Sequence, residues 1–399
     1  MKISITPGKA KGNVLVPPSK SVSHRALICG AFSEKSSIKN IAYSEDIKAT
    51  IGALKALGAK VEEKENEVII GSLLKEPLRE KIINCKESGS TLRFIVPIAL
   101  LFKEEITLKG EGRLLNRPQN VFSELFEDKS VLFLQNEDEI KVKGKLESGK
   151  YYLKGNVSSQ FISGLLFALP NIEGKSEIHL TTNLESASYI DLTRAVLSDF
   201  GIETSYENGI FSVEKGEFLS REYEVEGDYS NAAVFFLLNA IGGNIEIKGL
   251  NEKSLQGDRV IASYLNSLKT FENKPLDLSD CPDLAPILFA AAAVFGGGEF
   301  IGTKRLKLKE SDRIETMKTE LKKFGINLIE KENSVIIEKG VLSEPKEPLF
   351  GHNDHRIVMA LSVLLSITGG EIEGAAAVTK SFPDFFVKLK SLGINLKEI

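Results

Sequence analysis

The sequence has few cysteines, and none of them are paired in a recognisable spacing. Cys29, Cys85 and Cys281 are odd in number and far apart, without a C-x-x-C motif. This pattern argues against a disulfide framework or a zinc site and favours a reducing, cytoplasmic setting. Histidine is also scarce, and none of the four lies in a ligand spacing with cysteines or carboxylates: His24, His179, His352 and His355. We therefore expect no metal.

An excess of positive charge and a long apolar run are also missing. The formal net charge of -4 argues against a protein that coats nucleic acid, because phosphate-backbone binding requires a basic surface. No apolar run reaches the roughly 18 residues of a membrane span, and the start, MKISITPGKAKGNV, has no apolar core typical of a signal peptide. We expect a soluble cytoplasmic protein that binds neither nucleic acid nor membrane.

A repeated pattern is present instead. A chain of 399 residues is expected to form two or three domains. Six segments, recurring about every 70 residues, match one template of an amphipathic helix, a glycine stop and two alternating strands, and the clearest copies open with an aspartate suited to cap the helix. The clearest copies are 46–70, 191–213 and 312–337; 118–142 lacks the glycine, 258–278 is shortened, and 384–399 is cut off by the C-terminus.

A second recurring element lies between these segments: a small polar start, a helix that is apolar nearly all round, and a strand. Such a helix is buried, whereas the amphipathic helix lies outside. Six units divide into two domains of three, each with sheets around buried helices, which is an α/β fold. The alternative is a doubly wound parallel sheet, whose strands would be apolar on both faces; EVIIGSL and EIKVKG alternate instead.

The starts of the buried helices are suited to anions. They read SKSVSHR, ESGSTLR, VSSQF, EGDYSNAA, CPDLAP and GHNDHR. A helix start offers unpaired backbone N–H groups and the positive end of the helix dipole, so six starts in one inter-domain cleft would attract anions. Each serine or aspartate is, taken alone, most often a plain helix cap. The cations next to these residues favour an anion-binding site over plain helix caps.

Four cations lie in or beside apolar helices: Lys20, Arg25, Arg93 and Arg356. An unpaired charge there is costly, so each either has a buried carboxylate partner or helps to bind an anionic ligand. We favour the ligand for Lys20 and Arg25 and leave both alternatives open for Arg93.

Further cations occur at the junctions between repeats. GEGRLLNRPQ contributes Arg117, KLKESDR contributes Lys309 and Arg313, and VTKSFPDFF contributes Lys380. A run of charges such as KRLKLKESDR usually forms a solvent-exposed surface. Its place at a repeat junction instead favours a part in the anion-binding site.

Two acids lie among these cations. Asp283 begins an otherwise apolar helix, and Glu310 lies between Lys309 and Arg313. Surrounded by positive charge, Asp283 is expected to stay ionised and to act as a general base. Glu310 could exchange a proton with a cation such as Lys20.

The sequence closely resembles the 5-enolpyruvylshikimate-3-phosphate synthase family over nearly its whole length. The motifs occur in the family's order: SKSVSHR, SGSTLR, NRP, GNVSSQF, SYIDLT, EGDYSNAA, PDLAP, LKESDR, NDHR and KSFPDFF. The resemblance implies a two-domain inside-out α/β barrel, each domain with three βαβαββ units and buried helices. It assigns residues 1–17 and 228–399 to the first, discontinuous domain and residues 18–227 to the second.

The resemblance also implies an activity of the shikimate pathway, which leads to chorismate and the aromatic amino acids. The enolpyruvyl group of phosphoenolpyruvate is transferred to the 5-hydroxyl of 3-phosphoshikimate by addition and elimination, without cofactor or metal, and phosphate is released. Asp283 would take the hydroxyl proton, and Glu310 with Lys20 would handle the proton at the methylene carbon.

The resemblance carries over two sets of binding residues. The 3-phosphoshikimate set is Lys20, Ser21, Arg25, Ser158, Ser159, Gln160, Ser186, Tyr189, Asp283 and Lys309. The phosphoenolpyruvate set is Lys20, Gly89, Arg117, Gln160, Arg313, Arg356 and Lys380.

Three positions depart from the family pattern. Pro18 stands where glycine is usual, Glu87 where asparagine commonly precedes the S-G pair, and Arg305 where some members have asparagine. Glu87 would repel phosphoenolpyruvate unless it is turned aside or paired.

Two other functions were weighed. UDP-N-acetylglucosamine enolpyruvyl transferase has a loop cysteine without a counterpart in GEGRLLNRPQ. A noncatalytic anion-binding relative would gain nothing from Asp283 and Glu310. We expect a monomer that acts on small molecules.

Overall fold

The structure, a computed structural model, describes residues 1–270, 272 and 274–399. The chain forms two compact units, each with its own hydrophobic core. The continuous unit comprises Pro18–Glu226, and the split unit comprises Met1–Pro17 with Gly227–Ile399.

Short strands alternate with helices along the whole described chain. The strands are β1 (Lys2–Ile5), β2 (Lys11–Leu15), β3 (Ser36–Lys39), β4 (Lys60–Glu63), β5 (Glu67–Gly71), β6 (Ile82–Asn84), β7 (Ile106–Lys109), β8 (Val131–Gln135), β9 (Glu139–Gly144), β10 (Lys150–Leu153), β11 (Lys175–Leu180), β12 (Thr204–Glu207), β13 (Ile210–Glu214), β14 (Glu222–Glu224), β15 (Asn244–Lys248), β16 (Leu276–Asp277), β17 (Gly298–Ile301), β18 (Leu328–Glu330), β19 (Ser334–Ile337), β20 (Leu349–Phe350), β21 (Gly370–Glu373) and β22 (Leu396–Glu398). The α-helices are α1 (Lys20–Phe32), α2 (Glu45–Ala56), α3 (Gly89–Ala99), α4 (Asn120–Phe126), α5 (Ser159–Ala168), α6 (Ala187–Asp199), α7 (Tyr229–Ala240), α8 (Ile261–Lys269), α9 (Ala285–Phe295), α10 (Arg313–Lys323), α11 (His355–Thr368) and α12 (Phe385–Ser391).

The continuous unit repeats one sheet design three times. Its sheets have the strand orders β14-β3-β5-β4, β6-β7-β9-β8 and β10-β11-β13-β12. In each sheet the first two strands are parallel and the later pairings are antiparallel. A buried helix precedes the second strand and an amphipathic helix follows it. The predicted repeat is therefore confirmed in this unit.

The split unit uses the same design with two variations. The sheet β16-β17-β19-β18 follows the template. The last repeat, predicted to be cut off by the C-terminus, is instead completed by the N-terminal strand, because β1 lies between β21 and β22 and pairs antiparallel with both. The segment 258–278 is shortened as predicted, and its sheet contains β15 and β2 among the described residues; Phe271 and Asn273 of that segment lie outside them.

At each of the two crossings between the units, the last strand before the crossing pairs within its own unit. β2 runs into α1 of the continuous unit but pairs in parallel with β15 of the split unit. β14 runs into α7 of the split unit but pairs in parallel with β3 of the continuous unit. Each crossing strand thus completes a sheet of the unit that it leaves.

The apolar helices are buried and the strands alternate, as predicted. Nearly every residue of α1, α3, α5, α7, α9 and α11 is buried. Strands β5 and β9 alternate between buried and partly exposed positions, and the sheets mix parallel and antiparallel pairs. This excludes the doubly wound parallel sheet and confirms the α/β fold with helices inside. In the described part of the chain, no helix is long and apolar enough to cross a membrane.

The amphipathic helices begin and end differently from one another. Asp312 caps α10 as predicted. The same prediction is wrong for Asp46 and Asp191: Asp46 lies in the first turn of α2, which Ser44 caps, and Asp191 lies inside α6. The glycine stops are confirmed, since Gly58, Gly201 and Gly325 follow the last turns with positive φ.

Candidate functional site

Side chains cap the starts of the buried helices α1, α3, α5, α7 and α11, whereas α9 has no side-chain cap. Ser19, Ser88 and Ser158 in the continuous unit, and Asp228 and Asp354 in the split unit, each accept a hydrogen bond from a backbone N–H of the first turn. These residues are caps in the ordinary sense. Any role in binding must come from the other N–H groups and from the side chains nearby.

Lys20, in the first turn of α1, has a carboxylate partner. Its Nζ lies 2.6 Å from Asp46 Oδ2 on α2, and both side chains are mostly buried. For this cation the structure favours the ion-pair alternative over the expectation that it waits unpaired for a ligand. An incoming anion would have to share Lys20 with Asp46 or displace it.

Arg25, one turn further along α1, is held by neutral acceptors. Its Nε donates to Thr193 Oγ1 at 2.8 Å, Nη1 to the carbonyl of Ser21 and Nη2 to that of Tyr189, both at 2.7 Å. The side chain is 2% exposed. Burial lowers the pKa of this guanidinium to about 10, but it stays charged at neutral pH. Within the described residues no ion pair compensates it, which fits an anion receptor.

Arg93 on α3 joins several polar groups of the continuous unit. Nη1 donates to Gln160 Oε1 at 2.7 Å, Nη2 donates to the carbonyl of Pro118 at 3.1 Å, and the guanidinium lies 4.9 Å from the ring centre of Phe161. Gln160 in turn donates to Ser90 Oγ at 2.9 Å. The arginine therefore orients Gln160, a predicted ligand, at the start of α5 beside Ser158 and Ser159.

Arg117 and Gly89 lie in contact. A Cβ added to Gly89 would lie 2.7 Å from Arg117 Nη1, so only glycine lets the guanidinium lie against the start of α3. Glu87 is turned towards Gly112: a Cβ there would lie 2.7 Å from the Glu87 carboxylate. The loop 111–117 thus brings Arg117 against the start of α3 and Gly112 against Glu87, which directly precedes the cap of that helix.

The start of α6 is conformationally unusual. Ser186 is buried and has a left-handed backbone, with φ 56° and ψ 45°. Such a conformation costs a non-glycine residue about 1 kcal/mol or more. The carbonyl of Ser186 accepts from the N–H of Tyr189, whose own carbonyl holds Arg25. The predicted residues Ser21, Arg25, Ser186 and Tyr189 are therefore neighbours.

A buried hydrogen-bond relay, not predicted from sequence, links three helices of this unit. His24 Nδ1 lies 2.7 Å from Thr50 Oγ1, Thr50 lies 2.7 Å from Thr91 Oγ1, and Thr91 donates to the cap Ser88 at 2.8 Å. Burial and the charges of Lys20 and Arg25 hold the pKa of His24 well below its usual value. His24 is therefore neutral and fixes the start of α3 relative to α1.

In the split unit, Arg313 is surrounded by carboxylates. Its Nε lies 2.9 Å from Asp354 Oδ2, Nη1 lies 2.8 Å from Asp283 Oδ1, and Nη2 lies 2.9 Å from Glu310 Oε2. The side chain is 1% exposed. Despite burial, the three acids hold the pKa of Arg313 well above its usual value. This guanidinium organises the acids of the site.

Three cations surround Asp283 in this unit. Lys309 Nζ is 3.2 Å from its Oδ1, and Arg356 Nη2 is 3.8 Å from its Oδ2. Burial opposes ionisation of Asp283, but Lys309, Arg313 and Arg356 outweigh it and hold its pKa well below the usual range. Asp283 is thus ionised at neutral pH, as predicted from its cationic neighbours.

Arg356 and Lys380 each donate to a neutral oxygen near the start of α11. Arg356 Nη1 donates to Asn231 Oδ1 on α7 at 3.0 Å. Lys380 Nζ donates to the carbonyl of Asn353 at 2.7 Å. Asn353 has a left-handed backbone, with φ 54°, which turns its carbonyl towards the lysine. Both cations thus lie at the start of α11, where the helix dipole adds positive potential.

The structure groups the predicted residues by unit. In the continuous unit lie Lys20, Ser21, Arg25, Gly89, Arg117, Ser158, Ser159, Gln160, Ser186 and Tyr189. In the split unit, Asp283, Lys309, Glu310, Arg313 and Arg356 are joined by ion pairs, with Lys380 at the same helix start as Arg356.

Four partners of these groups were not predicted: Asp46, Thr193, Asn231 and Asp354. Asn231 and Asp354 lie within the quoted motifs EGDYSNAA and GHNDHR, which was the available signal. Among the described residues, no group of three or more histidines, cysteines and acids is placed to hold a metal.

Known proteins resemble this chain along its whole length. The family model described as EPSP synthase (3-phosphoshikimate 1-carboxyvinyltransferase) matches residues 5–389. Proteins named 3-phosphoshikimate 1-carboxyvinyltransferase from Clostridium acetobutylicum and Clostridium kluyveri are 41% and 42% identical, over 99% of this chain and 98% of each relative.

A solved structure shows the same fold. The EPSP synthase of Acinetobacter baumannii superposes with a TM-score of 0.80 at 24% identity and covers 100% of both chains. This likeness confirms the predicted fold class, two domains of repeated α/β units with buried helices.

Proposed function

The chain belongs to the EPSP synthase family, and from that premise we propose that it is a 3-phosphoshikimate 1-carboxyvinyltransferase. It transfers the enolpyruvyl group of phosphoenolpyruvate to the 5-hydroxyl of 3-phosphoshikimate and releases phosphate. The observation that carries the proposal is the ionised carboxylate of Asp283 among Lys309, Arg313 and Arg356. A binder of phosphates has no use for an acid held there, whereas an enzyme that removes a hydroxyl proton does.

The continuous unit binds mainly 3-phosphoshikimate in this proposal. Arg25 supplies the buried positive charge, and its neutral partners leave that charge uncompensated. Ser21, Ser158 and Ser159 offer hydroxyls and N–H groups at helix starts to the phosphate. Gln160, Ser186 and Tyr189 complete the set, and Lys309 joins from the split unit.

The residues proposed for phosphoenolpyruvate are divided between the two units. Lys20, Gly89, Arg117 and Gln160 belong to the continuous unit, and Arg313, Arg356 and Lys380 belong to the split unit. Fixed cations offset the repulsion between two multiply charged reactants, and holding the reactants together supplies much of the rate.

Asp283 accepts the proton of the 5-hydroxyl as its oxygen attacks C2 of phosphoenolpyruvate. Its pKa lies below the usual range, so it is a weak base. Proton transfer must therefore accompany formation of the C–O bond, which makes the hydroxyl more acidic. Glu310, fixed by Arg313, with Lys20 delivers a proton to the methylene carbon and takes one back when phosphate leaves the tetrahedral intermediate.

The test is phosphate release after the two substrates are mixed. Wild type releases phosphate, and Asp283→Asn lowers kcat by about 10²–10⁴-fold, the usual contribution of a general base. Asp138→Asn makes the same chemical change in the exposed turn between β8 and β9 and keeps full activity. Full activity of Asp283→Asn, or no release by wild type, would contradict the proposal.

We also propose a cytoplasmic enzyme that acts as a monomer and binds neither nucleic acid nor membrane. The buried, free thiols of Cys29, Cys85 and Cys281 suit a reducing compartment. Light scattering of the purified chain tests the monomer: a mass near 43.8 kDa is expected, and twice that mass would contradict it.

A further inference from the structure

The split unit contains a buried acid that the proposed mechanism does not use. Asp258 lies in the 3-10 turn Gly257–Val260 that leads into α8, and it is 4% exposed. Its Oδ2 accepts a hydrogen bond from the hydroxyl of Ser230, in the first turn of α7. Its Oδ1 is also buried and has no hydrogen-bond partner among the described residues. A buried carboxylate oxygen in this state is costly when ionised and much less so when protonated.

The start of α7 connects Asp258 to the proposed phosphoenolpyruvate site. Ser230, which holds Asp258, is followed by Asn231, whose Oδ1 accepts from Arg356 Nη1 at 3.0 Å. The same guanidinium reaches towards Asp283 through Nη2, at 3.8 Å, while its Nε is buried with no partner in the described part of the chain. The charge of Arg356 thus interacts electrostatically with two acids, Asp283 and Asp258.

These two acids differ in charge state. Burial raises the pKa of Asp258, the negative charge of Asp283 raises it further, and the Ser230 hydrogen bond and Arg356 only partly oppose this, so that it reaches about 7. Asp228, the cap of α7, adds a small repulsion, and the nearby thiol of Cys281 is neutral because burial raises its pKa. At neutral pH, Asp283 is therefore ionised while Asp258 is poised between its two forms.

We propose that Asp258 is a positioning residue for anion binding: it takes up one proton from solvent when phosphoenolpyruvate binds Arg356. The inference rests on the proposed function, which assigns Arg356 to phosphoenolpyruvate. Ionised Asp258 would compensate the charge of Arg356 and repel the incoming anion. Protonated Asp258 leaves the charge of Arg356 available to the anion, with ionised Asp283 beside it. No substrate bond changes in this step, and the proton comes from water.

The proposal predicts how KM for phosphoenolpyruvate changes with pH. In wild type, KM rises by about tenfold from pH 6 to pH 8.5, because ionised Asp258 interacts electrostatically with Arg356 and an interaction between charges in a partly buried site is worth about that much. In Asp258→Asn, which cannot ionise, this rise is absent and KM stays near the value that wild type has at pH 6. KM for 3-phosphoshikimate keeps the same pH dependence in both proteins.

Two controls sharpen the test. Asp138→Asn, the same change on an exposed turn, keeps the wild-type profile. Ser230→Ala removes the hydrogen bond that favours the ionised form, so the rise in KM moves to higher pH. This second variant also tests the proposal if Asp258→Asn does not fold.

The outcomes separate the two levels of inference. A rise in KM that is equally steep in Asp258→Asn, or unmoved in Ser230→Ala, overturns the role of Asp258 while leaving the transferase activity intact. A uniform increase of KM at all pH values in Asp258→Asn shows a merely structural role and also overturns it. If wild type releases no phosphate from the two substrates, the proposed function fails, and the inference fails with it.

Discussion

The two units bury their arginines in opposite ways. In the continuous unit, Arg25 gives its donors to a threonine hydroxyl and two backbone carbonyls. In the split unit, Arg313 gives its donors to three carboxylates. A buried cation with neutral partners keeps its positive potential for a ligand, whereas one with acidic partners holds those acids in place. Arg25 thus has its charge available for an anion, whereas Arg313 fixes the acids around it.

The largest expected effect separates these two uses of arginine. Arg313→Met leaves three buried carboxylates without their shared cation, and we expect it to destabilise the split unit by about 3–5 kcal/mol. Arg25→Met removes a buried charge that has no ion pair but leaves three neutral acceptors without its donors, so we expect a smaller loss of about 1–2 kcal/mol in the continuous unit. Hydrogen exchange resolved by mass spectrometry reports each unit through the core amides of α9 and α1.

Arg25→Met, which we expect to change stability little, should change ligand binding strongly. Arg25→Met is expected to weaken 3-phosphoshikimate binding by about 100-fold, since a charge-assisted pair with a phosphate is lost from a dry site. Arg194→Met, which changes an arginine of α6 outside the proposed site, is the control. Equal destabilisation by Arg25→Met and Arg313→Met would remove the distinction between the units.

Each unit also contains a buried titratable group, and the two groups change stability in opposite directions as the pH rises. The pKa of Asp258 is raised to about 7, so its favourable contribution is present below the unfolded value near 3.8 and is lost as the pH rises to about 7. The pKa of His24 is lowered, so the unfolded state takes up a proton first and stability is lost as the pH falls below about 6.5.

Two asparagine variants measure this contrast. The melting temperature of Asp258→Asn minus that of wild type should increase from pH 4 to pH 7, by the equivalent of roughly 4 kcal/mol at most, and then level off. For His24→Asn the same difference should increase as the pH falls from 6.5 to 5, by up to about 2 kcal/mol. Differences that run in the same direction with pH would refute the assignment of these groups.

Much of the fold could be predicted because its signals are local. Apolar helices, alternating strands and glycine stops are set by residues a few positions apart, so each repeat could be recognised from its own segment of the sequence. The N-terminal strand β1, which completes the last sheet, could not be recognised in this way, because it pairs residues such as Ile3 and Ile372 from opposite ends of the chain. The capping error at Asp46 arose because Ser44, two positions earlier, is an equally good cap.

The site was predicted in its residues but not in its pairings. Glu310 and Arg313 are three positions apart on the chain, and their contact could be foreseen. Asp283 and Asp354 reach Arg313 across 30 and 41 positions, and Asp46 reaches Lys20 across 26. Sequence patterns identify a cation in an apolar helix; only the packing of helices decides whether a carboxylate or a carbonyl meets it.

The smallest expected effect concerns Lys20, whose Nζ lies 2.6 Å from the Asp46 carboxylate in the continuous unit. Because Asp46 competes with phosphoenolpyruvate for this lysine, Asp46→Asn should lower KM for phosphoenolpyruvate about threefold to fivefold, the effect of a partly exposed ion pair worth about 1 kcal/mol. Steady-state rates at fixed 3-phosphoshikimate give the value, and Asp138→Asn is the matched control. An increase in KM would mean instead that Asp46 orients Lys20 for the substrate, and the continuous unit would then use one of its cations in the manner of the split unit.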